Sequence, residues 1–212
     1  MNMDKIIYRE LQKKDYKRIT SLIDNAFGFN EFIKDKDFLD LVLQSYLEDC
    51  ISESSFSKVA EKDSEVIGII LGNAIKDKNI LQLSDNKLNI DCADLKSFID
   101  SEEKEMALKE FAKITDTYEE IIKGKKEDFQ GCIQLFIVSK ESRGLGLGKS
   151  LLNYLFTYME SMSVKSLYLY TDTRCNYGFY DSQNFKCINK KEVYFDSLKS
   201  SLDVFLYSYT IE

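Results

Sequence analysis

GCIQLFIVSKESRGLGLGKSLL, from Gly131 to Leu152, is the stretch on which the reading of this chain turns. It begins with an apolar run, LFIV, of the length and character of a buried strand. It ends on leucines that continue at helical spacing as Leu151, Leu152, Leu155, Phe156 and Met159. Between the two lie Gly144, Gly146 and Gly148. The next apolar run, SLYLYTD (Ser166 to Asp172), reads as a second strand. Strand, glycine loop, helix and strand make a βαβ unit, for which a right-handed crossover is expected.

The loop has the chemistry of an anion site. Glycines allow tight turns and close backbone approach, and the unpaired N–H groups at a helix start, together with its dipole, favour a phosphate. Two familiar phosphate signatures fail here. A Walker loop ending in Gly148, Lys149 and Ser150 needs Gly at position 143, which is Arg143. A dinucleotide loop counted from Gly144 and Gly146 needs Gly at 149, which is Lys149. The pattern R-x-x-G-x-G, as Arg143, Gly146 and Gly148, fits without a gap.

Outward from the loop, MDKIIYREL reads as an opening strand, and DYKRITSLIDNAF places Ile19, Leu22, Ile23 and Phe27 on one helical face. DFLDLVLQSYLEDCI repeats that pattern with Phe38, Leu41, Val42 and Tyr46. FSKVAEKDSEVIGIILGNA holds two β-rich runs about Lys62, Asp63 and Ser64, as a hairpin requires. CNYGFYDSQNF reads as a short helix or turn, and KKEVYF with LDVFLYSYTI as a closing pair of strands. From about residue 75 to 130 the sequence is polar, with amphipathic helical stretches ending at Gly124. This reads as a helical insertion, either a solvated excursion packed on the sheet or a wall over a substrate pocket. The expectation is one mixed α/β domain over residues 1–212.

Bulk properties narrow the function. The 14 Phe and 13 Tyr within 44% apolar residues can fill a real core. No apolar run approaches membrane-spanning length and the N-terminus lacks a signal-peptide pattern, so a soluble, cytoplasmic protein without membrane contact is expected. Five widely spaced cysteines suit neither a disulfide framework nor a metal site, and no metal is expected. A net charge of −7 disfavours nucleic acid and suits a cationic substrate. His is absent, so acid-base chemistry must use carboxylates, Tyr, Cys or water.

Through QLFIVSKESRGLGLGKSLL (Gln134 to Leu152) and NYGFYDSQNF (Asn176 to Phe185), the sequence resembles the GNAT superfamily of acyl-CoA N-acyltransferases. The motifs and element order span nearly all of the chain except the insertion. The resemblance implies a central mixed, mostly antiparallel twisted sheet flanked by helices, with the helical insertion before the fourth strand. It implies acetyl-CoA as cosubstrate, lying where the Gln134 to Val138 strand splays from the Leu167 to Asp172 strand. Backbone groups of Phe136, Ile137 and Val138 would then pair with the pantetheine arm. Backbone N–H groups of Arg143, Gly144, Leu145, Gly146, Leu147, Gly148 and Lys149 would meet the pyrophosphate. The family places an Asn and a Tyr near the cofactor, here Asn176 and Tyr180.

Acyl transfer to an amine needs the ammonium deprotonated, the oxyanion stabilised and the leaving thiolate protonated. Tyr180 is the natural acid for the last step, its reference pKa of about 10 lying near the thiol's roughly 8.5. Asn176 is either a cofactor contact or a cap. The strand position that carries a Glu base in many family members is Gln134, which cannot accept a proton and either orients a water or the amine or satisfies the sheet edge. Asp172, at the end of the neighbouring strand, is the alternative base or else a turn cap. Cys175 is expected to be a small buried hydrophobe. The acceptor is a small-molecule amine or a lysine-bearing peptide; oligomeric state is not written in the sequence. An acyl-CoA binder without turnover and a P-loop nucleotide hydrolase are the rival classes, the first favoured by Gln134 and the second opposed by Arg143.

Overall fold

The computed structural model describes residues 6–81 and 98–211. Seven strands form one sheet in the order β1-β2-β3-β4-β5-β7-β6. They are β1 (Ile7–Arg9), β2 (Phe56–Lys62), β3 (Glu65–Ala74), β4 (Gly131–Val138), β5 (Ser166–Asp172), β6 (Lys186–Phe195) and β7 (Ser200–Thr210). All neighbours are antiparallel except β4 with β5. Helices α1 (Tyr16–Phe27), α2 (Phe29–Phe32), α3 (Lys36–Ser52) and α4 (Glu102–Ile122) cover one face. Helices α5 (Leu147–Ser161) and α6 (Gly178–Ser182) cover the other. The expected mixed α/β architecture is the one observed, with the short α2 added to the early order.

Local signals account for the elements. Ile19, Leu22 and Ile23 give α1 a buried face, and Gly28 ends the helix at φ 70°. The Asp35 side chain caps α3 by accepting from the Phe38 N–H at 2.9 Å. Asp63 and Ser64 turn the β2–β3 hairpin at φ 51° and 67°, a left-handed pair that short polar side chains tolerate. Strand alternation then divides the core: Ile69, Leu71, Val204 and Leu206 face one helical layer, while Ile70, Phe205 and Tyr207 face the other.

In β4 the alternation breaks once. Leu71 pairs with Leu135 but Gly72 with Ile133, so Gln134 is the extra residue of a β-bulge. Ile133 therefore faces the α5 layer, whereas Leu135 and Ile137 face the opposite one. A bulge bends its strand and strengthens the local twist. Beside it, β4 and β5 pair only as Gly131 with Leu167 and Cys132 with Tyr168. Beyond those pairs the two strands part, although β4 stays paired to β3 as far as Val138 and β5 to β7 along its whole length.

α5 lies very close to the sheet. A Cβ on Gly72 would stand 2.5 Å from Leu155 Cδ1 and 3.2 Å from the Cys132 carbonyl oxygen. Leu155 is fully buried and has nowhere to retreat. Gly72→Ala is therefore expected to destabilise the protein by about 1–3 kcal/mol, as overpacking does, read as a lower denaturation midpoint at unchanged slope.

Of the expected insertion, residues 82–97 lie outside the described residues. The remainder holds α4, capped by Ser101 and carrying Glu102, Glu103 and Glu105 in its first turn. Ala107, Ile121 and Ile122 of α4 belong to the main core. The helix thus packs into one layer of the domain, and Tyr118 and Glu119 on it also line the cleft described below.

Candidate functional site

The parting of β4 and β5 opens a cleft of about 1300 Å³. Phe136, Ile137 and Val138 line one wall, and Leu169, Thr171 and Asp172 the other. Over this length the facing backbone edges have no sheet partner among the described residues.

The glycine loop closes one end. Lys140–Ser142 form a 3₁₀ turn, Gly144 and Gly146 adopt φ 82° and 75°, and Gly146 is the N-cap of α5 with no side-chain cap. The first intrahelical bond runs from the Ser150 N–H to the Gly146 carbonyl. The N–H groups of Leu147, Gly148 and Lys149 stand ahead of it at the positive end of a four-turn helix. Gly148 is a glycine because a Cβ would lie 3.0 Å from the Phe179 ring. Of the seven expected loop residues, all line the cleft except Leu145, whose side chain is exposed at 58%. Lys140, Arg143 and Lys149 also line it, and none makes a salt bridge to another described residue.

Tyr180 is buried on α6 within a ring cluster of Phe136, Phe179, Phe185 and Tyr207, and it lines the cleft. Burial pushes its phenol well above its ordinary value, and the negative charge available to Cys175 and Asp172 pushes the same way. Its pKa therefore moves away from that of a thiol: the phenol is a weaker acid than free tyrosine.

Asn176 lies in the cleft wall but outside the helix, which begins at Gly178. Tyr177, not Asn176, is the N-cap of that helix. Asp172 ends β5 with a turn: its Oδ1 accepts from the N–H of Arg174 at 2.7 Å and of Cys175 at 3.3 Å. Burial raises its carboxyl above the usual carboxylate value despite those bonds. The Cys175 thiol is pushed up to about 12, first by burial and then by Asp172, which leaves it un-ionised.

The far end of the cleft is aromatic and acidic. Tyr46, Asp49 and Glu53 come from α3 and the residue just past it, Tyr118 and Glu119 from α4, and Tyr168 and Tyr170 from β5. Tyr118 and Tyr170 stack with centroids 4.2 Å apart and planes 9° from parallel. Gln134 faces this end: its Nε2 donates to Glu53 Oε2 at 3.2 Å. The sequence reading missed Asp49, Glu53 and Tyr118. A signal for the first two was present, since α3 ends in acids and has no basic residue in its last turn, against the preference of a helix C-terminus. The cleft thus carries cations at the glycine loop and carboxylates at the opposite end. Among the described residues, no cluster of His, Cys, Asp or Glu is arranged to hold a metal, and no helix is long and apolar enough to cross a membrane.

Comparison with known proteins agrees with this geometry. The fold matches that of PH1933 from Pyrococcus horikoshii OT3 with a TM-score of 0.59 at 16% identity, over 98% of this chain and 99% of that one. It matches a ribosomal-protein alanine N-acetyltransferase from Escherichia coli with a TM-score of 0.58 at 11% identity, over 98% and 95%. Ard1 from Thermoplasma volcanium aligns with a TM-score of 0.58 at 14% identity, over 98% of each chain. No curated protein matches the sequence significantly. The family model for the acetyltransferase (GNAT) family matches residues 16–185, a span that runs from α1 through the bulged strand, the glycine loop and Tyr180, and the chain therefore belongs to the GNAT family of acetyltransferases.

Proposed function

We propose that this protein transfers an acetyl group from acetyl-CoA to a primary amine by direct attack within a ternary complex. The observation that carries the reading is the parting of β4 from β5 immediately beside the uncapped start of α5. That arrangement fits the donor from end to end. The amides of Leu147, Gly148 and Lys149 and the side chains of Arg143 and Lys149 meet the pyrophosphate. The open edge of β4 at Phe136, Ile137 and Val138 offers hydrogen bonds to the amide groups of the pantetheine arm. Asn176 borders the same channel. The thioester then lies towards the vertex of the cleft, next to the Tyr180 ring cluster.

Tyr180 acts on the departing sulfur. Its raised pKa rules out a simple handover, because a phenol above a thiol of about 8.5 gives up its proton uphill. After attack, however, the nitrogen carries a positive charge and a labile proton. Tyr180 can pass its own proton to sulfur while accepting that one, and stays neutral throughout. Asp172 holds the turn into α6 and so keeps Tyr180 in place. α4 walls the acceptor side through Tyr118 and Glu119, where a cationic amine, small or on a lysine-bearing peptide, meets an acidic surface. A cytoplasmic setting, where acetyl-CoA and reduced thiols coexist, suits this chemistry.

Acetyl-CoA at 100 times its dissociation constant is expected to stabilise the protein by about 2.7 kcal/mol, read as a rise in Tm, with ATP giving far less. Release of free thiol with a panel of amines then tests transfer itself. Equal shifts from ATP and acetyl-CoA would defeat the reading.

A further inference from the structure

The cleft has an acid in Tyr180, but Gln134 on β4 cannot take a proton from the incoming ammonium. We infer that the missing base is Glu53, just past α3, brought to the vertex of the cleft and presented to the acceptor amine by Gln134. This inference rests on the acetyltransferase reading above and names a residue within the same site.

The placement follows from the direction of the cleft. A donor held by its pyrophosphate at α5 runs back along β4 from Val138 to Phe136, and its acyl end arrives where the strands meet. β4 and β5 join at Cys132 and Tyr168, so the open positions of β4 nearest the vertex are Ile133, whose side chain packs in the α5 layer, and the bulged Gln134. Its amide donates to Glu53 Oε2 at 3.2 Å. Glu53 is fixed from behind as well: its N–H donates to the Asp49 carbonyl at 3.1 Å, and its carbonyl accepts from Asn73 Nδ2 at 2.6 Å. Bonds from α3 and β3 thus hold the Glu53 backbone, and the Gln134 amide alone holds its carboxylate, which lines the cleft. Asp172, by contrast, is buried in its own turn. The groups around Glu53 are Asp49 on α3, Cys132 on β4, Tyr168 on β5 and Lys126 before β4. Cys132 is pushed up to about 11 and Tyr168 is raised too, in both cases first by burial, so neither competes as a base.

Stability does not explain a carboxylate here. Glu53 stands at the negative end of the α3 dipole, where a cation would be preferred. The chemistry does explain it. Glu53 takes one proton from R–NH₃⁺, directly or through a water, and the freed lone pair forms the C–N bond at the thioester carbon. The nitrogen loses a second proton through Tyr180 to sulfur as the C–S bond breaks. The products are the amide and CoA–SH, and Glu53 returns its proton to solvent.

The test uses the full chain, acetyl-CoA, and spermidine, an aminoglycoside and a lysine peptide as acceptor probes. With the best acceptor, Glu53→Gln is expected to lower kcat/KM by about 100- to 10,000-fold at neutral pH. The deficit should shrink as pH rises towards the pKa of the amine, because the variant depends on amine already neutral in solution. Tm and acetyl-CoA affinity should be unchanged or slightly improved. Gln134→Glu placed on Glu53→Gln moves the carboxylate across the hydrogen bond and is expected to recover tenfold or more. Wild-type turnover retained in Glu53→Gln, or a deficit independent of pH, overturns the assignment of Glu53 alone. Absence of thiol release by the wild type with every acceptor overturns the acetyltransferase reading and this inference with it.

Discussion

Tyr180→Phe is expected to cut acetyl transfer by about 100- to 10,000-fold while leaving acetyl-CoA affinity nearly unchanged. The substitution keeps the ring that packs against Phe136, Phe185 and Tyr207, so the wall of the cleft survives. Only the hydroxyl proposed above to carry a proton to sulfur is lost. Two acyl donors that differ in the acidity of their thiol separate this role from mere packing. A more acidic thiol leaves without help and should recover part of the deficit in the variant, once chemistry is shown to be rate-limiting. Equal losses with both donors would make Tyr180 a packed aromatic beside the donor.

Gly148→Val is expected to weaken acetyl-CoA binding by about 100-fold or more, measured by titration calorimetry. A side chain here collides with the Phe179 ring 3.0 Å away and reaches towards Phe136 at 3.7 Å. If the Phe179 ring, held against Phe136 and Tyr180, keeps its place, the start of α5 must shift and the amides of Leu147, Gly148 and Lys149 are misaimed. Hydrogen bonds to a charged acceptor contribute about 1.5–3 kcal/mol each, so misplacing one or two is enough for that loss. Gly146→Val acts differently. Its Cβ meets open space, yet φ 75° strains a β-branched residue, and that variant should lose fold stability along with affinity. Comparing Tm for the two variants distinguishes the collision from the strain, and an unaffected affinity in Gly148→Val would remove the loop from the binding site.

Much of this fold is local in origin and so could be read from the chain. The apolar run of β4, the glycine spacing and the leucines of α5 each declare themselves within a few residues, as does the polar turn at Asp63 and Ser64. The features that escaped depend on pairings between distant segments. Glu53 and Gln134 lie 81 residues apart, and no window of sequence contains both. The bulge at Gln134 exists only relative to Gly72 on the neighbouring strand. The start of α6 escaped for a smaller reason: Asn176 stands at helical spacing from Tyr180, but the Asp172 turn comes first and the helix begins only at Gly178. The amphipathic character of α4 was legible, but which partner its apolar face meets was not, because Ala107, Phe111, Ile114, Tyr118 and Ile121 pack on a core built from distant segments.

An open sheet ordinarily has two rims, one at each outer strand. The early separation of β4 from β5 gives this one four, with a second pair of rims inside the molecule. Exposed rims recruit foreign strands, and proteins commonly defend them with charge, bulges or covering loops. Here the inner pair lies between the helical layers that cover the two faces of the sheet. On the function proposed above, the amide-bearing cosubstrate would take the place of a neighbouring strand along those inner rims.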